Sequence, residues 1–278
     1  MTVRIVTDSA CDLPELTARE LGIEIVPLTI RFGDEEFVDR RDLTPTEFWR
    51  RCAASPVLPE TAAPAPGQFE AAYRKLQREG ATGIVVVALS AALSATMQSA
   101  QLAARAVADD LDVRVVDSRT ITLGQGMITV ACARLASSGA SIAEVEAAAS
   151  DMASRSKVWG ALDTLENLKK GGRIGNAKAL LASVLSIKPI IEVRDGKVEE
   201  GGKQRTRGKA LAFLLEKLKT SGPIENVAVL HAQCPDVGPF VEQVKALTGA
   251  DVLVGDIGPV VGTHAGRGTI GVAFSTRR

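Results

Sequence analysis

Hydroxyls, glycines and a histidine gather wherever an apolar run stops. Val3-Arg4-Ile5-Val6 runs into Thr7-Asp8-Ser9, and Ile84-Val85-Val86-Val87 into Ser90, Ser94 and Thr96. Val113-Arg114-Val115-Val116 ends at Asp117-Ser118, and Val252-Leu253-Val254 leads to Gly258-Pro259-Val260-Val261-Gly262-Thr263-His264. Hydroxyls and unpaired peptide N–H groups bind an anion better than they break a bond. Ser94 precedes a helical run as a candidate N-cap, where the positive helix end favours a carboxylate or phosphate. Turn and cap chemistry alone accounts equally well for Ser9. Of the two histidines, His231 reads as a strand end with its ring on local backbone. His264, wedged among glycines, is the stronger candidate for a site.

Other chemistries find less support. Gly266, Gly268 and Gly271 match the dinucleotide spacing but precede only a short strand, and Gly171-Gly172-Arg173-Ile174-Gly175 lacks the Gly-Lys-Ser/Thr of a P-loop. No GxSxG elbow is present. A serine hydrolase using Ser94 or Ser90 with His264 and Asp8 or Asp117 stays open as an alternative. Cys11, Cys52, Cys132 and Cys234 form no CxxC pair, so neither a disulfide framework nor a zinc site is expected, and no cofactor is expected besides a bound ligand.

Acids and bases balance at 33 each, so no global field draws nucleic acid or an anionic membrane. Aromatics at 4% are too few for base-stacking platforms. The start reads directly as a strand, without a signal-peptide layout, and Ile84–Leu93 is too short to span a bilayer. A cytoplasmic protein is expected, with at most transient membrane contact.

These groups must be held by alternating strands and helices. Four apolar runs suit parallel strands buried on both faces, whose carboxyl ends form ligand sites in open α/β sheets. Asp12 with Pro14 reads as a helix start, Glu24–Phe32 as one strand, and Gly33-Asp34 as the turn into Glu35–Val38. Thr44 opens a helix with capping-box spacing. Four prolines between Ala53 and Gly67 impose an extended loop, followed by a helix from Gln68. Later come a helix stopping at Gly171-Gly172, another over Lys178–Ser186, and a hairpin turning at Asp195-Gly196. The fold class expected is α/β, with two α/β domains, 1–150 and 151–278. The first has a mainly parallel sheet, and the second carries the Gly-Gly-Arg and Gly-Thr-His loops.

The ordered motifs resemble the DegV family of bacterial fatty-acid-binding proteins, which includes the acyl-binding subunits of fatty acid kinase. They are Thr7-Asp8-Ser9 with Asp12-Leu13-Pro14; Thr61 with Pro64 and Gly67-Gln68-Phe69; and Leu93-Ser94 with Thr96 and Gln98-Ser99-Ala100. Asp117-Ser118 with Gly124 and Gly126, Leu165 with Leu168, Gly171-Gly172-Arg173-Ile174 and Lys188-Pro189, and Gly258-Pro259 with Gly262 and His264 complete the set. The resemblance implies that the chain itself is no catalyst. It would enclose one long-chain fatty acid in an apolar tunnel and present the carboxylate, at an interdomain cleft, to a separate ATP-dependent kinase subunit. Thr61, Ser94, the Ala95 peptide N–H and His264 would bind that carboxylate, with Ser9, Ser90, Thr96 and Ser118 lining the cleft. Arg173 and Arg205, with Lys169, Lys170 and Arg207, would form a docking patch for the kinase, or a solvated helix end. Ala62, Ala65, Ala95, Met97 and Arg267 depart from the family pattern. A lipid-responsive regulator without a kinase partner is a further alternative.

Overall fold

The computed structural model describes residues 2–55, 57–182 and 187–277. In chain order, β1 (Val3–Asp8) ends in a 3-10 turn, Ser9–Cys11, and α1 (Glu15–Glu20) follows. Asp12 does not cap α1. Its backbone is left-handed, with φ of 50°, and Pro14 occupies the cap position. The segment expected as one strand is broken at Pro27-Leu28 into β2 (Glu24–Val26) and β3 (Thr29–Phe32), which join different sheets. Proline has no N–H with which to continue a ladder, so the chain changes partner there. β4 (Glu35–Val38), α2 (Pro45–Ala54), β5 (Glu60–Ala62) and α3 (Pro66–Arg78) come next. Thr44 caps α2 as expected, accepting the Glu47 N–H. The proline-rich stretch, of which Pro56 lies outside the described residues, yields the extended β5 on the edge of β3.

β6 (Gly83–Ala88), α4 (Thr96–Ala106), β7 (Asp112–Asp117), α5 (Thr122–Ser137) and α6 (Ile142–Arg155) continue the alternation. Then follow β8 (Ser156–Ala161), α7 (Glu166–Lys170), a 3-10 stretch over Gly175–Ala182, β9 (Lys188–Arg194) and β10 (Lys197–Gln204). Of the helix expected over Lys178–Ser186, the described part is 3-10, and residues 183–186 lie outside the described residues. The β9–β10 hairpin turns at Asp195-Gly196, both with positive φ, as the sequence predicts. α8 (Arg207–Thr220), β11 (Ile224–His231), α9 (Val237–Thr248), β12 (Leu253–Asp256), α10 (Pro259–Ala265) and β13 (Ile270–Thr276) complete the chain.

The architecture is α/β. One sheet, ordered β2-β1-β6-β7, is parallel throughout. A six-stranded sheet, ordered β10-β9-β8-β13-β11-β12, is mixed, with β11 and β12 its parallel pair. A small antiparallel sheet, β4-β3-β5, carries Thr61. Burial on both faces holds for β6, whereas β7 and β12 are edge strands with exposed positions, a correction to the sequence expectation. α5 is buried over most of its surface and packs against β1 on one side and β11 on the other. A helix apolar all round belongs between layers. Accordingly Val87, Leu123 and Ile128 share one apolar cluster with Val158, Ala228 and Ala273. Gly126 of α5 lets the Cys11 carbonyl come close, since a Cβ there would lie 2.7 Å from that oxygen.

Candidate functional site

Between that main core and a smaller apolar cluster, which includes Leu162, Leu168, Ile191 and Val198, lies a cavity of about 70 Å³. Ala10, Leu28, Leu89, Val260 and Val261 face it from the main core, and Leu168 and Val198 from the other. Leu93 and Ile121 complete the apolar lining. Its polar members are Thr61, Ser94, Arg173 and His264. These four come from four elements that the sequence separates widely: β5, the turn before α4, the segment after α7, and α10.

His264 stands on a short helix and not in a glycine loop, which corrects the sequence reading. Gly262 supplies the reason for a glycine inside that helix. A Cβ there would lie 2.9 Å from both Phe48 and Trp49 of α2. The His264 ring is largely buried, and its Nε2 lies 3.0 Å from Thr61 Oγ1. Nδ1 is buried and meets no hydrogen-bond partner among the described residues. Burial, aided by the Arg173 charge, holds the imidazole down at about 4, so it is neutral at pH 7. A neutral ring carries one proton, and a buried N–H without an acceptor is the costlier arrangement. The proton therefore belongs on Nε2, donated to Thr61 Oγ1. The Thr61 O–H is then left to donate to a ligand.

Ser94 Oγ lies 2.9 Å from Thr96 Oγ1 and accepts the Thr96 N–H at 3.2 Å. It stands one residue before the cap position of α4, which Ala95 occupies with φ of −77°, so alanine is unstrained there. Arg173 donates from Nε to the Leu93 carbonyl and from Nη1 to Gly171, which places its cation beside Ser94 and the His264 ring. This arginine, read from the sequence as a docking residue, lines the cavity. Arg205 is exposed and does not.

Ser9, Ser90, Ala95, Thr96 and Ser118 are not among the cavity-lining residues. Ser9 Oγ accepts the Leu28 N–H, Ser90 donates to the Gly196 carbonyl, and Ser118 donates to that of Thr120. They hold the wall segments in place. His231 ends β11, but its ring meets the Asp256 carboxylate at 3.4 Å and not backbone. The hydrolase constellation is not assembled. His264 bonds a threonine, and no carboxylate orients its Nδ1 among the described residues. Asp8 is occupied by the Ala10 and Leu89 N–H groups and the Gln125 amide, and Asp117 by the Ala91 and Arg119 N–H groups. Sequence reasoning missed Gly171. A Cβ on it would collide with His264 Nδ1, and the Gly171-Gly172 pair was its only trace.

A sequence model of the DegV family, described as uncharacterised protein, matches residues 2–277. The chain belongs to the DegV family. A DegV domain-containing protein of Streptomyces coelicolor is 36% identical over 283 residues, covering 99% of each chain. One from Listeria innocua is 33% identical over 278 residues, again covering 99% of each. Among solved structures, a DegV family protein from Thermus thermophilus described for its fatty acid binding superposes with a TM-score of 0.91 at 31% identity, over 100% of both chains. Bacillus subtilis DegV, described as a fatty acid binding protein, gives 0.90 at 27% identity, also over 100% of both. This DegV chain contains no helix long and apolar enough to cross a membrane among the described residues.

Proposed function

We propose that this DegV protein binds a long-chain fatty acid in the cavity, with its carboxylate at Thr61, Ser94, His264 and Arg173. The carrying observation is one apolar cavity that combines two hydroxyls, a neutral imidazole and a guanidinium, with no carboxylate among its lining residues. Such a lining attracts an anion with an apolar tail. Charge-assisted hydrogen bonds contribute about 1.5–3 kcal/mol each, and each buried methylene about 0.8 kcal/mol. The tail thus supplies most of the affinity and the polar groups supply position. The descriptions of the Thermus and Bacillus relatives support the same ligand class.

A cavity of about 70 Å³ is narrow, since pockets for drug-sized ligands run to roughly 300–1,000 Å³. A long tail enters only as the walls part. The cavity lies along the seam of two apolar clusters, so it can widen without opening either core.

In this reading the protein is the acyl-binding partner of a separate ATP-dependent kinase. A carboxylate oxygen held by Thr61 and Ser94 attacks the γ-phosphorus of ATP on that subunit, forming acyl phosphate and releasing ADP. Arg173 lies at the ligand carboxylate, and exposed Arg205 belongs to the surface that meets the kinase. Native mass spectrometry of the purified protein, followed by lipid analysis of what it releases, tests the ligand. One bound fatty acid is expected, lost when Thr61→Ala and Ser94→Ala are combined. Retention at the wild-type level in that double variant overturns the carboxylate assignment.

A further inference from the structure

We infer that Asp12, which lies outside the cavity, is a positioning residue for His264 and acts through α10. Helix α10 has seven residues, too few to hold itself. Its cap residue, Gly258, has no side chain, and Pro259 at its first position has no N–H to offer. The Ile257 N–H just before the cap donates to the His231 carbonyl, and the side-chain anchor comes from the far end of the sequence: Asp12 Oδ1 accepts the Gly258 N–H at 3.0 Å. The fit is close. A Cβ on Gly258 would lie 2.8 Å from Asp12 Oδ1, and one on Gly255 would lie 3.3 Å from the Asp12 carbonyl. Asp12 reaches this place in a left-handed conformation that non-glycine residues seldom adopt, φ of 50°. Arg40 donates to the Leu13 carbonyl next door.

At its other end α10 is held by Asn167, which donates to the Thr263 carbonyl, and by Thr269, which donates to that of Ala265. Between these clamps the helix presents Val260, Val261 and His264 to the cavity. Among the described residues the His264 ring hydrogen-bonds Thr61 Oγ1, and Gly171 lies close against Nδ1. A small rotation of α10 would break the first and press on the second. Asp12 thus fixes from the helix start the direction in which the Thr61 hydroxyl is left free to donate.

The test has two readouts. One is the ring-nitrogen spectrum of His264 in ¹⁵N-histidine-labelled protein. The other is equilibrium binding of a fluorescent long-chain fatty acid, which rests on the proposed function. Asp12→Ala is expected to shift the His264 ring signals and weaken binding about fivefold, the effect of one net hydrogen bond. Asp12→Asn, which keeps an acceptor for the Gly258 N–H, is expected to restore both. Ser141→Ala removes the N-cap of α6 and serves as a variant destabilised elsewhere. Unchanged His264 signals in Asp12→Ala, or equal changes in Ser141→Ala, overturn the inference. If Asp12→Ala fails to fold, Gly258→Ala, whose Cβ displaces the Asp12 carboxylate, is read in the same way. Wild-type protein that takes up no fatty acid sinks the proposed function alone, because the ring signals still decide the role of Asp12.

Discussion

At the scale of single residues, part of the candidate site was legible in residue type and part only through resemblance. Ser94 and His264 could be picked out by type and position, Thr61 only through the family resemblance, and all three line one cavity. Arg173 was not legible. An arginine beside lysines looks the same in sequence whether it stands free in water or lies along a cavity mouth, and only its bonds to Leu93 and Gly171 place this exposed side chain at the mouth. Although Arg173 stays exposed, its place at the cavity wall has a measurable consequence. His264 is held at about 4 first by burial and then by Arg173. A histidine with a lowered pKa contributes stability above its unfolded value near 6.5, and that stability is lost as pH falls toward 4. The His264 ring should therefore titrate near pH 4 by NMR. Arg173→Ala should move the midpoint upward by removing a neighbouring cation. An unmoved midpoint would mean that the guanidinium does not face the ring.

At the scale of elements, strands with clear β-branched runs and the β9–β10 hairpin could be read directly, because period and turn chemistry are local. Contacts between distant segments could not. The break at Pro27-Leu28 follows from two sheets competing for one stretch, and α10 is too short for a helical period to show. Gly171 and Gly172 illustrate the limit. The pair looks like a single helix stop, and Gly172 does take the left-handed conformation, with φ of 70°. Gly171 has an ordinary backbone, with φ of −76°, and is needed for its empty side-chain space beside His264. The two substitutions should part company. Gly172→Ala meets no atom within 4 Å, so it should lower stability by about 1 kcal/mol of backbone strain and leave fatty-acid binding intact. Gly171→Ala should weaken binding markedly, because the new methyl displaces the imidazole. Urea denaturation alongside a fatty-acid titration separates them, and equal binding by both variants would remove Gly171 from the site.

At the scale of the whole molecule, a balanced charge count conceals where the charges lie. Asp8, Asp12 and Asp39 are all buried in the first half of the chain, and burial raises them to about 6, 7 and 6. None but Asp39 and Asp12 touches solvent-facing clefts, and none lines the cavity, yet each is tied to a segment that does. Asp8 accepts the Ala10 and Leu89 N–H groups, Asp12 the Gly258 N–H, and the Asp39 N–H donates to the Leu28 carbonyl. A carboxyl whose folded pKa lies above its unfolded value near 3.8 binds more protons in the native state over that interval. Stability therefore falls as pH rises from about 4 to about 7. His264 opposes this between 6.5 and 4, but as one group against three. The delipidated protein should accordingly be more stable at pH 5 than at pH 8. The difference should be on the order of several kcal/mol, since each tenfold change in a proton's binding constant is worth about 1.4 kcal/mol. Asp12→Asn removes one of the buried charges while keeping an acceptor for Gly258, so it should raise stability at pH 8 and narrow the gap between the two pH values. Urea midpoints for both proteins at pH 5 and pH 8 measure this directly. A wild-type protein as stable at pH 8 as at pH 5, or a gap that Asp12→Asn leaves unchanged, would show that burial does not raise these carboxyls above their unfolded values.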